Sequence, residues 1–182
     1  EAIQESHAAH IDTYMMTGDH AITAQAVGKE INLSIDDDDV PVFTSEDLES
    51  MSESELRQTM EENSSLIFSR VSPENKLRIV KNLKEQQKIV AVTGDGVNDA
   101  PALKSAHIGV AMGQMGTDVS KEASELILLD DSFPTLVYAI KEGRNIYNNL
   151  KKTVIASLTT NGAELTIVLL GLLAAAVLGT PI

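Results

Sequence analysis

The sequence predicts an α/β fold with a largely parallel sheet, extended at its C-terminal end by a long stalk and a transmembrane helix. Three observations carry this expectation. Short apolar runs alternate with amphipathic segments from Glu1 to about Leu129, the pattern of strands covered by helices. The tripeptide Thr-Gly-Asp follows two of those runs, at residues 17–19 and 93–95. Between Thr153 and Leu178 the only charged residue is Glu164.

Taken in order, the strands are expected at Thr13 to Met16, Val42 to Thr44 (after a loop from Ser34 to Asp39), Leu66 to Ser69, Ile89 to Val92, Ile108 to Met112 and Leu126 to Leu129. Helical patterns fall at His20 to Glu30, Ser52 to Glu62, Pro73 to Gln86 and Asn98 to Ser105. Pro73 suits a first helical turn, where its missing N–H costs nothing. From Phe133 the character changes. Pro134 can open a helix, and the stretch to Lys152 is amphipathic, with Lys141, Glu142, Arg144, Lys151 and Lys152. The apolar stretch that follows, about 26 residues at 1.5 Å each, reaches roughly 39 Å, more than the roughly 30 Å of bilayer hydrocarbon. Lys151 and Lys152 at its start agree with a cytoplasmic N-terminal end. The expected organisation is therefore a sheet domain over 1–132, a stalk helix over 133–152 and a transmembrane helix over 153–182. A buried core helix is the competing reading of that last segment, and its length argues against it.

Composition limits the chemistry. Lys plus Arg number 14 against 27 Asp plus Glu, a net charge of -13, so a nucleic-acid partner is excluded by repulsion from phosphate. The chain has no Cys and no Trp, which removes disulfides, a thiolate nucleophile and a Cys-based zinc site. A GxxxxGK[ST] loop is also missing, so a P-loop ATPase is not expected. The sequence begins at Glu1 without an initiator Met and stops at Pro181-Ile182 behind the apolar run, which reads as a fragment.

In open α/β sheets ligands collect at the carboxyl ends of strands, so the two Thr-Gly-Asp turns are expected around one crevice. Glycine allows close backbone approach to an anion, and the next helix N-terminus adds positive dipole. Either copy alone also reads as a plain turn. The second continues as Thr93-Gly94-Asp95-Gly96-Val97-Asn98-Asp99-Ala100-Pro101-Ala102-Leu103. Asp95 and Asp99 are hard oxygen ligands suited to Mg²⁺ holding a phosphate, and Asn98 offers an amide donor to a phosphoryl oxygen. Asp99 as a mere helix cap would leave the second carboxylate and the amide unexplained.

This run resembles the hinge signature of P-type ATPases, which have a haloacid-dehalogenase-like, Rossmann-type phosphotransfer fold. Met15-Met16-Thr17-Gly18-Asp19 with Thr23-Ala24 is similar to the family's earlier Thr-Gly-Asp motif, and Phe68-Ser69-Arg70-Val71-Ser72-Pro73-Glu74-Asn75-Lys76 to its phosphate-binding Lys segment. The resemblance implies that Thr17 and Gly18 bind the phosphoryl group and that Asp19 lies near nucleotide and metal. It further implies that Arg70 contacts nucleotide and that Lys76 compensates the phosphate. By physics alone Lys76 and Arg70 would be solvated surface residues. Thr159-Thr160-Asn161-Gly162-Ala163-Glu164 is similar to the cation-binding part of the fifth membrane helix of calcium and sodium/potassium pumps. Asn161 and Glu164, three apart on one helix face, are then ligands of the transported cation, and an acidic group in mid-membrane is costly enough to suggest function. Glu164 paired to another helix for packing is the bland alternative.

The implied cofactors are Mg²⁺ and ATP. The implied partners are the cation, calcium first and sodium/potassium or protons next, the lipid bilayer, and the remainder of a pump: the other half of the phosphorylation domain, nucleotide and actuator domains, and other membrane helices. The parent would be a multi-pass protein of the plasma membrane with residues 1–152 on the cytoplasmic side. The family's Asp-Lys-Thr-Gly-Thr nucleophile sequence does not occur in the chain, so this piece alone is expected to be inactive on ATP. A non-catalytic Mg²⁺- or phosphate-binding or membrane-docking module is the alternative. A soluble phosphatase would need an Asp-x-Asp nucleophile and leaves the apolar helix unexplained. Asp36 to Asp39 is expected to be a solvated loop, and His7 and His10, spaced i,i+3, surface residues of one helix face.

Overall fold

In a computed structural model of the chain, residues 1–34 and 39–178 are described. They divide into two compact units, one ending at Val137 and the other beginning at Tyr138. The first begins with α1 (Ala2–Ala8), β1 (Thr13–Met16), α2 (Ala21–Glu30) and β2 (Val42–Thr44). Then come α3 (Ser45–Ser50), α4 (Glu53–Glu62), β3 (Ser65–Ser69), α5 (Pro73–Glu85) and β4 (Ala91–Gly94). A 3₁₀ turn at Val97–Asp99 leads into α6 (Ala100–Ser105), β5 (Ile108–Met112), α7 (Asp118–Glu122) and β6 (Leu126–Leu128). The last element, α8, runs from Phe133 to Leu178.

All the strand pairs are parallel, in two three-stranded sheets ordered β1-β3-β2 and β4-β5-β6. The centre of the first is β3, every residue of which is buried. Its side chains serve both faces, as the period of two requires. Leu66 and Phe68 join Leu48, Leu56, Ile79, Val92 and Leu103 in one core cluster that spans elements of both sheets, while Ile67 packs with Ala24, Leu33 and Val40 on the α2 side. Gly28 of α2 has a packing reason: a Cβ there would lie 2.7 Å from Ile67 Cδ1.

Local chemistry explains the helix starts. Ser52 and Glu55 form a reciprocal capping box at α4, Thr44 and Asp47 another at α3, each satisfying two otherwise orphaned N–H groups. The Ser72 hydroxyl accepts the Asn75 N–H at 3.2 Å, with Pro73 in the first turn of α5.

Several expectations need correction. The strand expected at Ile89 to Val92 is displaced to Ala91–Gly94. The Val90 N–H is taken by His107 Nδ1 at 3.1 Å while its carbonyl accepts the Ile108 N–H at 3.2 Å, so the pairing starts with Ala91 opposite Ile108. The helix expected from Asn98 starts as a 3₁₀ turn and becomes α-helical at Ala100. His10 lies beyond α1 with φ 56°, so it shares no helix face with His7. Nor is His7 fully on the surface: its Nε2 lies 3.2 Å from the Ser65 hydroxyl and burial lowers its pKa. Asp36, Asp37 and Asp38 lie outside the described residues; Asp39 pairs with Lys29 at 2.6 Å.

The helix α8 begins within the first unit, at Phe133, and is continuous to Leu178. Its 46 residues correspond to about 69 Å of helix, and its apolar part is long enough to cross a membrane.

Candidate functional site

The C-terminal ends of β1 and β4 open on one crevice of about 320 Å³, lined by Met16, Thr17, Gly18, Lys76, Val92, Thr93, Gly94, Asp95, Asp99 and Met112. Two sheets thus deliver the two Thr-Gly-Asp turns to one place, and α5 adds the lysine.

The second turn is the more heavily constructed. Lys76 Nζ donates to Asp99 Oδ1 at 2.6 Å, and both side chains are largely buried, 14% and 12% exposed. The other oxygen, Oδ2, accepts the N–H groups of Asp95 at 3.3 Å and Gly96 at 3.1 Å. Asp99 therefore spends its carboxylate on Lys76 and on the shape of the turn. Gly94 makes this possible, since a Cβ there would fall 2.5 Å from Asp99 Cβ. From behind, the Asp95 carbonyl accepts the Thr117 N–H at 2.9 Å and the hydroxyl of the fully buried Ser120 at 3.0 Å. The Asp95 carboxylate itself is exposed and has no partner among the described residues.

The first turn is held differently. Asp19 N–H donates to Thr17 Oγ1 and the Thr17 hydroxyl donates to Asp19 Oδ2, both at 3.1 Å. Thr17 is fastened to the end of β3 by Thr17 N–H to the Phe68 carbonyl at 2.9 Å and Val71 N–H to its own carbonyl at 3.0 Å. Arg70, at φ 53°, donates its N–H to the Asp19 carbonyl at 3.1 Å and rests its guanidinium on His20 at 2.9 Å. Around Gly18 a Cβ would meet nothing within 4 Å.

Of the residues singled out in the sequence, Thr17, Gly18, Lys76, Asp95 and Asp99 line the crevice, whereas Asp19, Arg70 and Asn98 are exposed and outside its lining. The Lys76–Asp99 pair and the Ser120 prop were not foreseen. The donor set suits Mg²⁺, a cation content with one or two carboxylates plus water and phosphate oxygens: Asp95 offers free oxygens, and Asp99 stands behind it. No group of three or more His, Cys, Asp or Glu gathers among the described residues, so the remaining ligands would come from water, phosphate or other chain segments.

Asn161 and Glu164 lie on α8, three residues apart and so on one face. The threonines around them bond back into the helix: Thr159 to the Ile155 carbonyl at 2.8 Å, Thr160 to Ala156 at 3.0 Å and Thr166 to Gly162 at 2.7 Å. Neither Asn161 nor Glu164 has a hydrogen-bond partner among the described residues.

Residues 1–107 match the family described as haloacid dehalogenase-like hydrolases. Among curated proteins, a calcium-transporting ATPase of Bacillus subtilis is 48% identical over 179 residues, covering 96% of this chain and 19% of the relative. A sodium/potassium-transporting ATPase alpha-3 subunit of Gallus gallus is 40% identical over 196 residues, with the same 96% and 19%. Among solved structures, a zinc-transporting ATPase of the PIB type in its E2.Pi state superposes with a TM-score of 0.70 at 30% identity, covering 93% of this chain and 23% of that one. The chain thus spans about a fifth of the length of the curated relatives it matches.

Proposed function

The chain belongs to the haloacid dehalogenase-like hydrolases, and from that premise we propose that it is a segment of a P-type cation-transporting ATPase: the C-terminal part of the phosphorylation domain, a stalk and a membrane helix. The parent would pass the γ-phosphoryl group of ATP to an aspartate outside this chain, release ADP, and hydrolyse the aspartyl phosphate with water as the cation crosses the membrane. The carrying observation is the crevice in which Asp95, without a partner of its own, meets Lys76, Asp99, Thr17 and Gly18.

Each residue has a part in this reading. Asp95 holds Mg²⁺, which when bound would neutralise charge on the phosphoryl oxygens, and Asp99 keeps the turn and Lys76 in place. Lys76, Thr17 and the open backbone at Gly18 receive the phosphoryl group, joined by Asn98; Asp19 and Arg70 serve the nucleotide side. Such catalysis is positioning and electrostatics, so these groups and the nucleophile can lie in different segments. Strand pairing supports a complement from elsewhere in the protein. Among the described residues β1 and β4 each pair with one neighbour only, β3 and β5, so both present an open edge able to accept a further strand. By itself the 182-residue chain should leave ATP intact.

Asn161 and Glu164 are the cation ligands in this reading. The cargo is calcium, favoured by the higher identity to the calcium-transporting relative, 48% against 40%, with sodium/potassium or protons as the alternatives. The parent sits in the plasma membrane with residues 1–152 on the cytoplasmic side.

The test uses the intact parent. Asp95→Asn should lower Mg²⁺-dependent phosphoenzyme formation, from ATP and from inorganic phosphate, by roughly 100-fold or more. Glu164→Gln should raise the cation concentration needed for phosphorylation from ATP and spare back-phosphorylation from inorganic phosphate. Normal phosphoenzyme in Asp95→Asn would overturn the assignment of the crevice. Wild-type cation dependence in Glu164→Gln would reduce Glu164 to a packing residue.

A further inference from the structure

One strained residue lies between the site and the long helix. Asp131 has φ 52°, a left-handed conformation that costs a non-glycine residue energy and persists only where its surroundings demand it. Its carboxylate accepts three successive backbone N–H groups of the loop after β5: Gly113 at 2.6 Å and Gln114 at 3.0 Å on Oδ1, Met115 at 2.8 Å on Oδ2. Such a nest of amides suits an anion, and donation from Gln114 first, with Met115 and Gly113, lowers the Asp131 pKa.

The loop leads directly to the site. At Gly116 a Cβ would lie 1.9 Å from the Met112 carbonyl oxygen, so only glycine lets the chain turn there. The next residue, Thr117, donates its N–H to the Asp95 carbonyl at 2.9 Å, and Ser120 adds its hydroxyl at 3.0 Å. In the other direction, Asp131 stands two residues before Phe133, where α8 begins. Its neighbour Asp130 accepts the Ser132 N–H at 3.2 Å and the Thr135 hydroxyl at 2.6 Å. Hydrogen bonds joined by two short backbone steps, Asp130 to Asp131 and Met115 to Thr117, thus connect the first turn of α8, the 113–117 loop and the Asp95 turn.

We propose that Asp131 is a positioning residue that couples the start of α8 to Asp95. A displacement of the helix start carries the loop with it and moves the carbonyl side of the Asp95 turn; a ligand that fixes Asp95 stiffens the helix start in return, as reciprocity of coupling requires. The use of this coupling in transport rests on the pump reading, but its existence does not.

The experiment compares wild type, Asp131→Asn, Ser120→Ala and the double variant of the intact parent, by amide hydrogen exchange and by the Mg²⁺ concentration that half-saturates phosphorylation from inorganic phosphate. Asn keeps the size of Asp131 and loses its charge. It should accelerate exchange at Gly113 to Met115 and also at Thr117 and Thr135. It should raise the half-saturating Mg²⁺ concentration about fivefold or more, with the double variant short of the product of the two single effects. Faster exchange confined to 113–115 with unchanged Mg²⁺ dependence would reduce Asp131 to a loop staple and overturn the proposal, as would full additivity. If Asp131→Asn does not fold, Ser120→Ala reads the series from its other end: protection at 113–115 falls if the coupling exists and keeps its wild-type value if it does not. A wild-type protein that forms no phosphoenzyme would sink the pump reading, and exchange at Thr117 and Thr135 would still decide the coupling.

Discussion

Thr17-Gly18-Asp19 and Thr93-Gly94-Asp95 are the same three residues at the C-terminal ends of strands in parallel sheets, and all but Asp19 line one crevice, but their parts are exchanged. In the first turn the aspartate is spent, its carboxylate folded back on the Thr17 hydroxyl, and the glycine is open. In the second the glycine is filled by Asp99 and the aspartate is open. One turn therefore offers bare backbone to an approaching group and the other offers carboxylate oxygens. Identical sequence acquires different chemistry from what packs behind it: the end of β3 in one case, Lys76 and Asp99 in the other.

The largest effect should come from removing the support of the second turn. Lys76→Met leaves the Asp99 carboxylate largely buried with only two backbone donors, and uncompensated buried charge costs on the order of 3 kcal/mol. Urea unfolding of the 182-residue chain in detergent measures it. A loss under about 0.5 kcal/mol, the size of an ordinary surface change, would mean that Asp99 holds its turn without the lysine. Gly94→Ala comes next. Its methyl would overlap Asp99, and overpacking of this kind costs about 2 kcal/mol, read as a lower unfolding midpoint in the same assay.

Acid should act on a third carboxylate, Asp131, behind the second turn. Hydrogen bonds from Gln114 and its neighbours lower its folded pKa, so its contribution to stability is complete above the ordinary carboxylate value of about 4 and fades as pH falls through the lower folded value. Urea midpoints of wild type and Asp131→Asn should therefore differ at neutral pH and converge in acid. A gap that persists in acid would assign the difference to shape rather than charge.

The smallest effect belongs to the first turn. Gly18→Ala meets no atom within 4 Å and should change stability by less than about 0.5 kcal/mol, while phosphorylation of the intact parent should fall if that space admits a phosphoryl group. A destabilisation equal to that of Gly94→Ala would erase the contrast between the turns.

Much of this arrangement is legible in local sequence. Alternation and turn residues place β1, β2 and β5 at their observed bounds, and Ser52 and Pro73 mark helix starts because capping is a matter of neighbours. The α3 start was also readable, since Thr44 and Asp47 have capping-box spacing. The displacement of β4 was not, because the strand's bounds follow from its pairing with β5, which sets Ala91 opposite Ile108, 17 residues on. The site divides in the same way. Its members are motif residues, but Lys76 with Asp99 and Ser120 with Asp95 are contacts 23 and 25 residues apart, and no periodicity encodes them. The difference between the two glycines is likewise a matter of what the fold brings near.

The back-bonded threonines of α8 have a mechanical consequence. A hydroxyl that shares a carbonyl with the helix ladder weakens the rung it joins and tends to bend the axis. Thr159, Thr160 and Thr166 do this to the carbonyls of Ile155, Ala156 and Gly162, and Gly162 has no side chain to stiffen the stretch. With Thr153 bonded likewise to the Asn149 carbonyl, the weakened rungs extend from residue 149 to residue 166, an interval that contains Asn161 and Glu164. A rod of uniform stiffness would spread strain along its whole length. This one should bend most readily along the stretch that carries Asn161 and Glu164, so the two polar groups sit where the helix axis yields first.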